Sequence, residues 1–166
     1  MTNFNSLVQS SSAAVTNYYG NLAINSPTFS RNAGSGSFYY QAYTLNVDIT
    51  GSYVINSNSS IDLMGYLYQD NFFPSQPILN VVTFDDDGAG NRQFRISSSL
   101  VSSRTYILVV TTYDQGIIGP FSFTVSGPGY GSAAFMPDSC EFIRITIFYS
   151  IERNIYLFSL FSNSPS

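Results

Sequence analysis

"FYYQAYTLNVDI", Phe38 to Ile49, alternates along its length: Tyr43, Leu45, Val47 and Ile49 fall on one side, Ala42, Thr44, Asn46 and Asp48 on the other. A period of two marks a half-buried β-strand, with one face on a core and the other in water. Runs of the same kind surround it: "NYYGNLAI" before, then "GSYVINS", "IDLMGYLY", "ILNVVTF", "RQFRIS", "TYILVVTT" and "GPFSFTVSGPG". Gly51, Pro74, Pro77, Gly88, Gly90, Gly116, Gly119 and the Gly127-Pro128-Gly129 cluster punctuate them, as turn formers do. "SPTFSRNAGSGS" reads as loop around a Thr28-Phe29 core. Tyr106 to Val110 is continuously apolar, which predicts a central strand covered on both faces. No stretch before Cys140 carries a helical apolar stripe of useful length. The pattern predicts an all-β fold, a two-sheet antiparallel β-sandwich.

Composition narrows the function. Hydrophobic residues make up 44% of the 166, enough for a proper core, while only 10% are charged. There is no Lys, and the only two Glu, Glu141 and Glu152, lie near the C-terminus, so solubility rests on Ser, Thr, Asn, Gln and Tyr. That profile fits secreted all-β proteins better than cytosolic enzymes. A net charge of −4 with six scattered arginines gives phosphate no electrostatic footprint, which argues against nucleic acid. Without His there is no Ser-His-Asp or Cys-His arrangement and no His-ligated metal. Cys140 has no partner for an internal disulfide.

The chain divides into a flexible, Ser-rich lead-in over 1–16, a sandwich over 17–132, and an atypical apolar tail over 133–166. The opening stretch lacks the pattern of a signal peptide, which leaves an intracellular protein or a fragment of a longer one; the expectation is the fragment, of an extracellular or cell-surface protein. The tail window from Ile143 to Phe161 is long enough for a membrane span, but Arg144, Glu152 and Arg153 lie inside it. A strand or short helix packing on a neighbour is the expected form, and a non-native end to the chain is the alternative.

From about Tyr18 to Gly131 the order of motifs resembles the bacterial pre-peptidase C-terminal (PPC) domain and related repeats of large extracellular proteins. The matching pieces are Gly51-Ser52-Tyr53, Asp62-Leu63 with Tyr66-Leu67-Tyr68, Asp85-Asp86-Asp87-Gly88, Arg104-Thr105-Tyr106 and Gly119-Pro120-Phe121. The resemblance implies a jelly-roll-like sandwich used for adhesion, substrate contact or assembly, and it does not imply catalysis. It also implies that Asp62 approaches the Asp85–Asp87 turn.

Three readings compete for Asp85-Asp86-Asp87. The spacing fails the EF-hand pattern, although calcium also takes clustered carboxylates from irregular loops, here Asp62, Asp85, Asp86 and Asp87. Adjacent residues on an extended chain point in alternating directions, a poor start for a glycosidase pair. The third reading is turn closure, with the aspartates accepting from turn N–H groups and from Arg92 or Arg95. No cofactor is required on this last reading.

Tyr66, Tyr68 and Tyr113 are the candidate glycan-stacking surface, against ordinary core packing. In Gly65-Tyr66-Leu67-Tyr68 the two tyrosines share a face opposite Leu67. Asn58-Ser59-Ser60 is an N-glycosylation sequon between two strands. With no Lys to guard its sheet edges, the module could also join copies of itself by strand addition through its N-terminal segment, as a filament subunit does. The expected function is a non-catalytic, extracellular structural or adhesive module, one repeat of a longer protein, with other repeats or copies as partners. The alternative is a calcium-dependent carbohydrate-binding module.

Overall fold

The computed structural model describes residues 13–31 and 36–137, together with the backbone pairing of two further strands at 147–151 and 154–158. The chain forms a two-sheet antiparallel β-sandwich. The smaller sheet has the order β1 (Ala14–Leu22), β9 (Gly119–Gly127), β4 (Gly51–Asn58), β7 (Arg95–Leu100). The larger has the order β10 (Gly131–Met136), β3 (Phe38–Val47), β8 (Tyr106–Thr112), β5 (Leu63–Gln69), β6 (Val81–Asp85), and the short β2 (Thr28–Phe29) also pairs with β3. From β3 to β10 only the β5–β6 connection stays within one sheet; every other one crosses the sandwich, the winding of a jelly-roll-like fold.

Between the sheets, the alternating side chains interlock as the period of two dictates. Tyr43, Leu45, Leu67 and Leu108 of the larger sheet meet Ile55, Ile96, Phe123 and Val125 of the smaller. Gly65 is bare because the Phe94 ring occupies the space where its Cβ would stand, 2.8 Å from the nearest ring atom. Gly127 likewise lies against the ring of Tyr53. Both glycines therefore serve packing, Gly127 in addition to the turn that follows it.

The larger sheet is also buried on its outer face. Tyr40, Ala42, Met64, Tyr66, Tyr68, Ile107 and Val109 form a second apolar layer with Phe29 and Phe38. Phe29 and Phe72 roof it, their rings edge-on to Tyr40 at 5.1 and 5.3 Å. Arg31 closes one side, its guanidinium 3.7 Å from the Phe38 ring centre and donating to the carbonyls of Thr112 and Tyr113. Every residue of β8 is consequently buried, as its apolar run predicts. The water-facing side expected for β3 is corrected. Ala42 is buried under this layer, and Asn46 is the exposed residue further along that side of the strand.

Two boundaries shift. β1 begins at Ala14, so residues 14–16 belong to the sandwich rather than to a lead-in, and strand pairing with β9 holds them. β10 extends the sandwich from 132 to Met136. Beyond it, Ile147–Ile151 (β11) pairs antiparallel with Asn154–Phe158 (β12), so this part of the tail is a β-hairpin. No helix among the described residues is long and apolar enough to cross a membrane. Cys140 and residues 1–12 lie outside the described residues.

A sandwich leaves two open seams between its sheets, and single side chains bridge both. At the β1/β10 seam the Tyr18 hydroxyl donates to the Gly131 carbonyl at 2.6 Å and accepts from the Ala133 N–H at 3.0 Å. At the β6/β7 seam the bridge is Asp85.

Candidate functional site

Asp85 ends β6, and one of its oxygens, Oδ2, accepts from the Gly88 N–H at 2.7 Å and from the Arg95 N–H at 2.8 Å. The first bond closes the turn and the second ties β6 to the opposite sheet. Arg95 is thus a partner of Asp85 through its backbone rather than through its guanidinium. Two glycines and left-handed backbone at Gly90, Asn91 and Arg92 (φ 76°, 53° and 61°) let the chain reverse sharply here. The Asp87 carbonyl accepts from the Gly90 N–H at 2.7 Å.

Asp62 does approach this turn. Its carboxyl is raised above the ordinary carboxylate range, chiefly by burial, then by the charges of Asp87, Asp86 and Asp114, with Arg92 opposing them. Five aspartates, Asp62, Asp85, Asp86, Asp87 and Asp114, therefore share one end of the sandwich. Among the described residues no three acidic or thiol side chains are grouped so as to hold a metal ion.

The sequence reading passed over Gln93. It is buried, and its amide donates to the carbonyls of Ile61 and Arg92 while its Oε1 accepts from the buried Ser57 hydroxyl at 3.0 Å. Ser57 Oγ accepts from the Phe94 N–H in turn. This network fastens β4, β7 and the Asp62 segment together and leaves its buried polar groups satisfied. A glutamine in a polar turn sequence carries no signal of such a role.

The tyrosine surface is corrected. Tyr66 and Tyr68 do share a face, but that face lies beneath the Phe29 and Phe72 roof, and both rings are buried. Tyr66 stacks on Phe84 at 5.4 Å, and the Tyr68 hydroxyl donates to the Pro77 carbonyl while burial pushes its phenol above the ordinary range. Tyr113 is exposed, with its ring 5.7 Å from the Arg31 guanidinium.

The outer face of the smaller sheet presents a different surface. Strand register places Asn17, Thr124, Asn56 and Arg95 in one row across it, and Tyr19, Ser122 and Asn58 in the next. Tyr19 is 81% exposed. Asn58 is exposed at the end of β4, with Ser59 donating to the Pro120 carbonyl beside it. An open hollow of about 440 Å³ lies under the Pro74–Leu79 loop, and its lining, Ser30 and residues 74–79, includes no ionisable side chain.

Comparison of the sequence with protein-family models and with curated proteins returned no match.

Proposed function

We propose that this chain is a non-catalytic structural and adhesive module that bears tension as one repeat of a longer extracellular protein. The observation that supports this most is the path of the chain. β1 starts where Ala14 pairs with Gly127, at the same end as Val47 and Gly131. β10 then runs from Gly131, opposite Val47, to Met136, opposite Ala42, toward the end where Leu22 pairs with Gly119. The chain therefore enters at the Ala14 end and its last sandwich strand heads toward the Leu22 end.

A pull between Ala14 and Met136 acts along the strands. β1 is loaded in shear against β9, so the ladder from Ala14 to Leu22 resists as a unit instead of opening pair by pair. β10 is loaded the same way against β3. The motif order resembling the PPC domain and the Lys-free composition support the extracellular repeat part of this reading.

Single-molecule stretching through the two termini tests it. The expected trace is one cooperative rupture releasing about 400 Å, the sandwich's chain at roughly 3.3–3.6 Å per residue. Strand-by-strand yielding at forces near baseline refutes the tension-bearing role. Secretion predicts a glycan on Asn58 when the chain is expressed through a eukaryotic secretory route, and loss of that mass in Asn58→Gln.

A second reading, carbohydrate binding, is favoured by the rows of amide and hydroxyl groups beside Tyr19. It predicts retention on a glycan array that Tyr19→Ala abolishes and Tyr113→Ala does not.

A further inference from the structure

Each end of the sandwich carries exposed large apolar side chains on tightly held loops. At the Leu22 end, Ile24 follows β1 and Ile117 and Ile118 precede β9, side by side because Leu22 and Gly119 are register partners. Ile24 is 81% exposed and Ile118 48%. A short turn fixes the first loop, through Ser26 N–H to the Ala23 carbonyl and Ala23 N–H to the Ser26 hydroxyl. At the Ala14 end stand Ile49, Val101 and Tyr130, the last 71% exposed. Here the Asp48 N–H donates to the Tyr130 carbonyl, and Thr50 Oγ1 accepts from the Ser102 N–H, so three loops are tied together. Exposed apolar side chains also stand elsewhere, at Val15, Tyr19, Ile78 and Val82 among others, but these six lie at the two ends of the strand axis.

We propose that the Leu22 end of one copy docks on the Ala14 end of the next, head to tail, making Ile24, Ile117 and Ile118 one half of an interface and Ile49, Val101 and Tyr130 the other. The proposal rests on the repeat reading above and names the contact between repeats. Charge disfavours one alternative, and the path of the chain, which enters at the Ala14 end and leaves toward the Leu22 end, favours head to tail over the rest. The Leu22 end holds Asp62, Asp85, Asp86, Asp87 and Asp114 against Arg31 and Arg92, so it is acidic on balance. Two such ends facing each other would bring both acidic groups together, which disfavours head-to-head pairing. The Ala14 end holds Asp48 and an Asp70–Arg104 ion pair at 3.2 Å, so it presents little charge to the acidic end of a neighbour.

A contact between unlike surfaces does not close on itself and extends into a line. The line follows the axis along which the chain already runs. The patches are small, so the contact is weak between separate chains. Tandem linkage at an effective concentration of order mM would suffice to hold it.

Sedimentation velocity of the full chain, from about 10 µM to about 1 mM, tests the proposal. The wild-type mass is expected to rise with concentration past the dimer, and Ile118→Asp and Tyr130→Asp are each expected to stay monomeric. Mixed in equal amounts, the two variants should form one-to-one dimers and stop there, because each supplies the surface the other lacks. Both substitutions lie at exposed positions, and an unchanged circular dichroism melt shows that they fold. A wild type that remains monomeric overturns the proposal. Assembly that persists in either variant alone, or a mixture that stays monomeric, overturns it equally. A monomer that still ruptures cooperatively under force ends the docking claim alone, whereas assembly without resistance to force ends the tension reading alone.

Discussion

Replacing Asp85 by Ala removes the carboxylate whose Oδ2 accepts both bonds, and strands two backbone donors, the N–H groups of Gly88 and Arg95. Hydrogen bonds to a charged acceptor are worth about 1.5–3 kcal/mol each when desolvated, but water can reach both of these donors. About 1 kcal/mol for each, roughly 2 kcal/mol in all, is the loss we expect. For a domain of this size that is a fall of about 6–10 °C in the unfolding midpoint. Asp85→Asn keeps a neutral acceptor and should lose about half as much. Asp86→Asn, which removes a charge without a turn-closing bond, should cost little. The assay is a calorimetric melt of all four proteins in EDTA and in millimolar calcium. An Asp85→Ala protein as stable as Asp86→Asn refutes the turn-closing role. If calcium raises the wild-type midpoint and the gain disappears in Asp86→Asn, the aspartates hold an ion and the calcium reading replaces ours.

Other expectations follow from the same geometry. Asp62 has its carboxyl raised in the folded state, so its ionisation destabilises the fold above that raised value, and the cost vanishes below the unfolded value near 4. Asp62→Asn should therefore melt higher than wild type at pH 7, with the gap closing as pH falls through the carboxylate range; a gap independent of pH would contradict this. Tyr18→Phe removes the bridge across the β1/β10 seam, and hydrogen exchange at the Ala133 amide should quicken while that at Val109 in β8 stays slow. Gly65→Ala drives a methyl into the Phe94 ring and should cost about 1–3 kcal/mol by denaturant titration, whereas Gly90→Ala meets no neighbour and suffers only from its left-handed backbone.

Most strands could be read from the chain because they carry a period of two or a bounded apolar run, but β10, whose Gly-Ser-Ala-Ala start shows neither, could not. The central place of β8 followed from Tyr106 to Val110, since only a strand covered twice can be apolar on both sides. The roof over the larger sheet could not be read this way. Phe29 belongs to a two-residue strand and Phe72 to a loop, so neither has a period to show which face it will cover. That one omission turned Tyr66 and Tyr68 from core into surface and extended the wet side of β3 to Ala42, which the roofed layer buries. The Asp85 turn was recognisable from its glycines and clustered carboxylates. Its second partner was not, because a backbone N–H on the far sheet has no signature in a sequence.

The register between β1 and β9 also governs when the fold can be completed. Tyr18 pairs with Phe123, a separation of more than a hundred residues. At about 5–20 residues per second, β1 leaves the ribosome many seconds before its partner is made. During that wait it is an unsatisfied strand beside whatever has already been synthesised. If a similar module precedes it, that module's β9 is already available, and pairing with it would exchange strands between neighbours instead of finishing either. Were such modules joined in tandem, adjacent copies would be under pressure to differ in β1 and β9. In a tandem array, comparing those two strands between neighbours would show whether synthesis order has shaped the sequence.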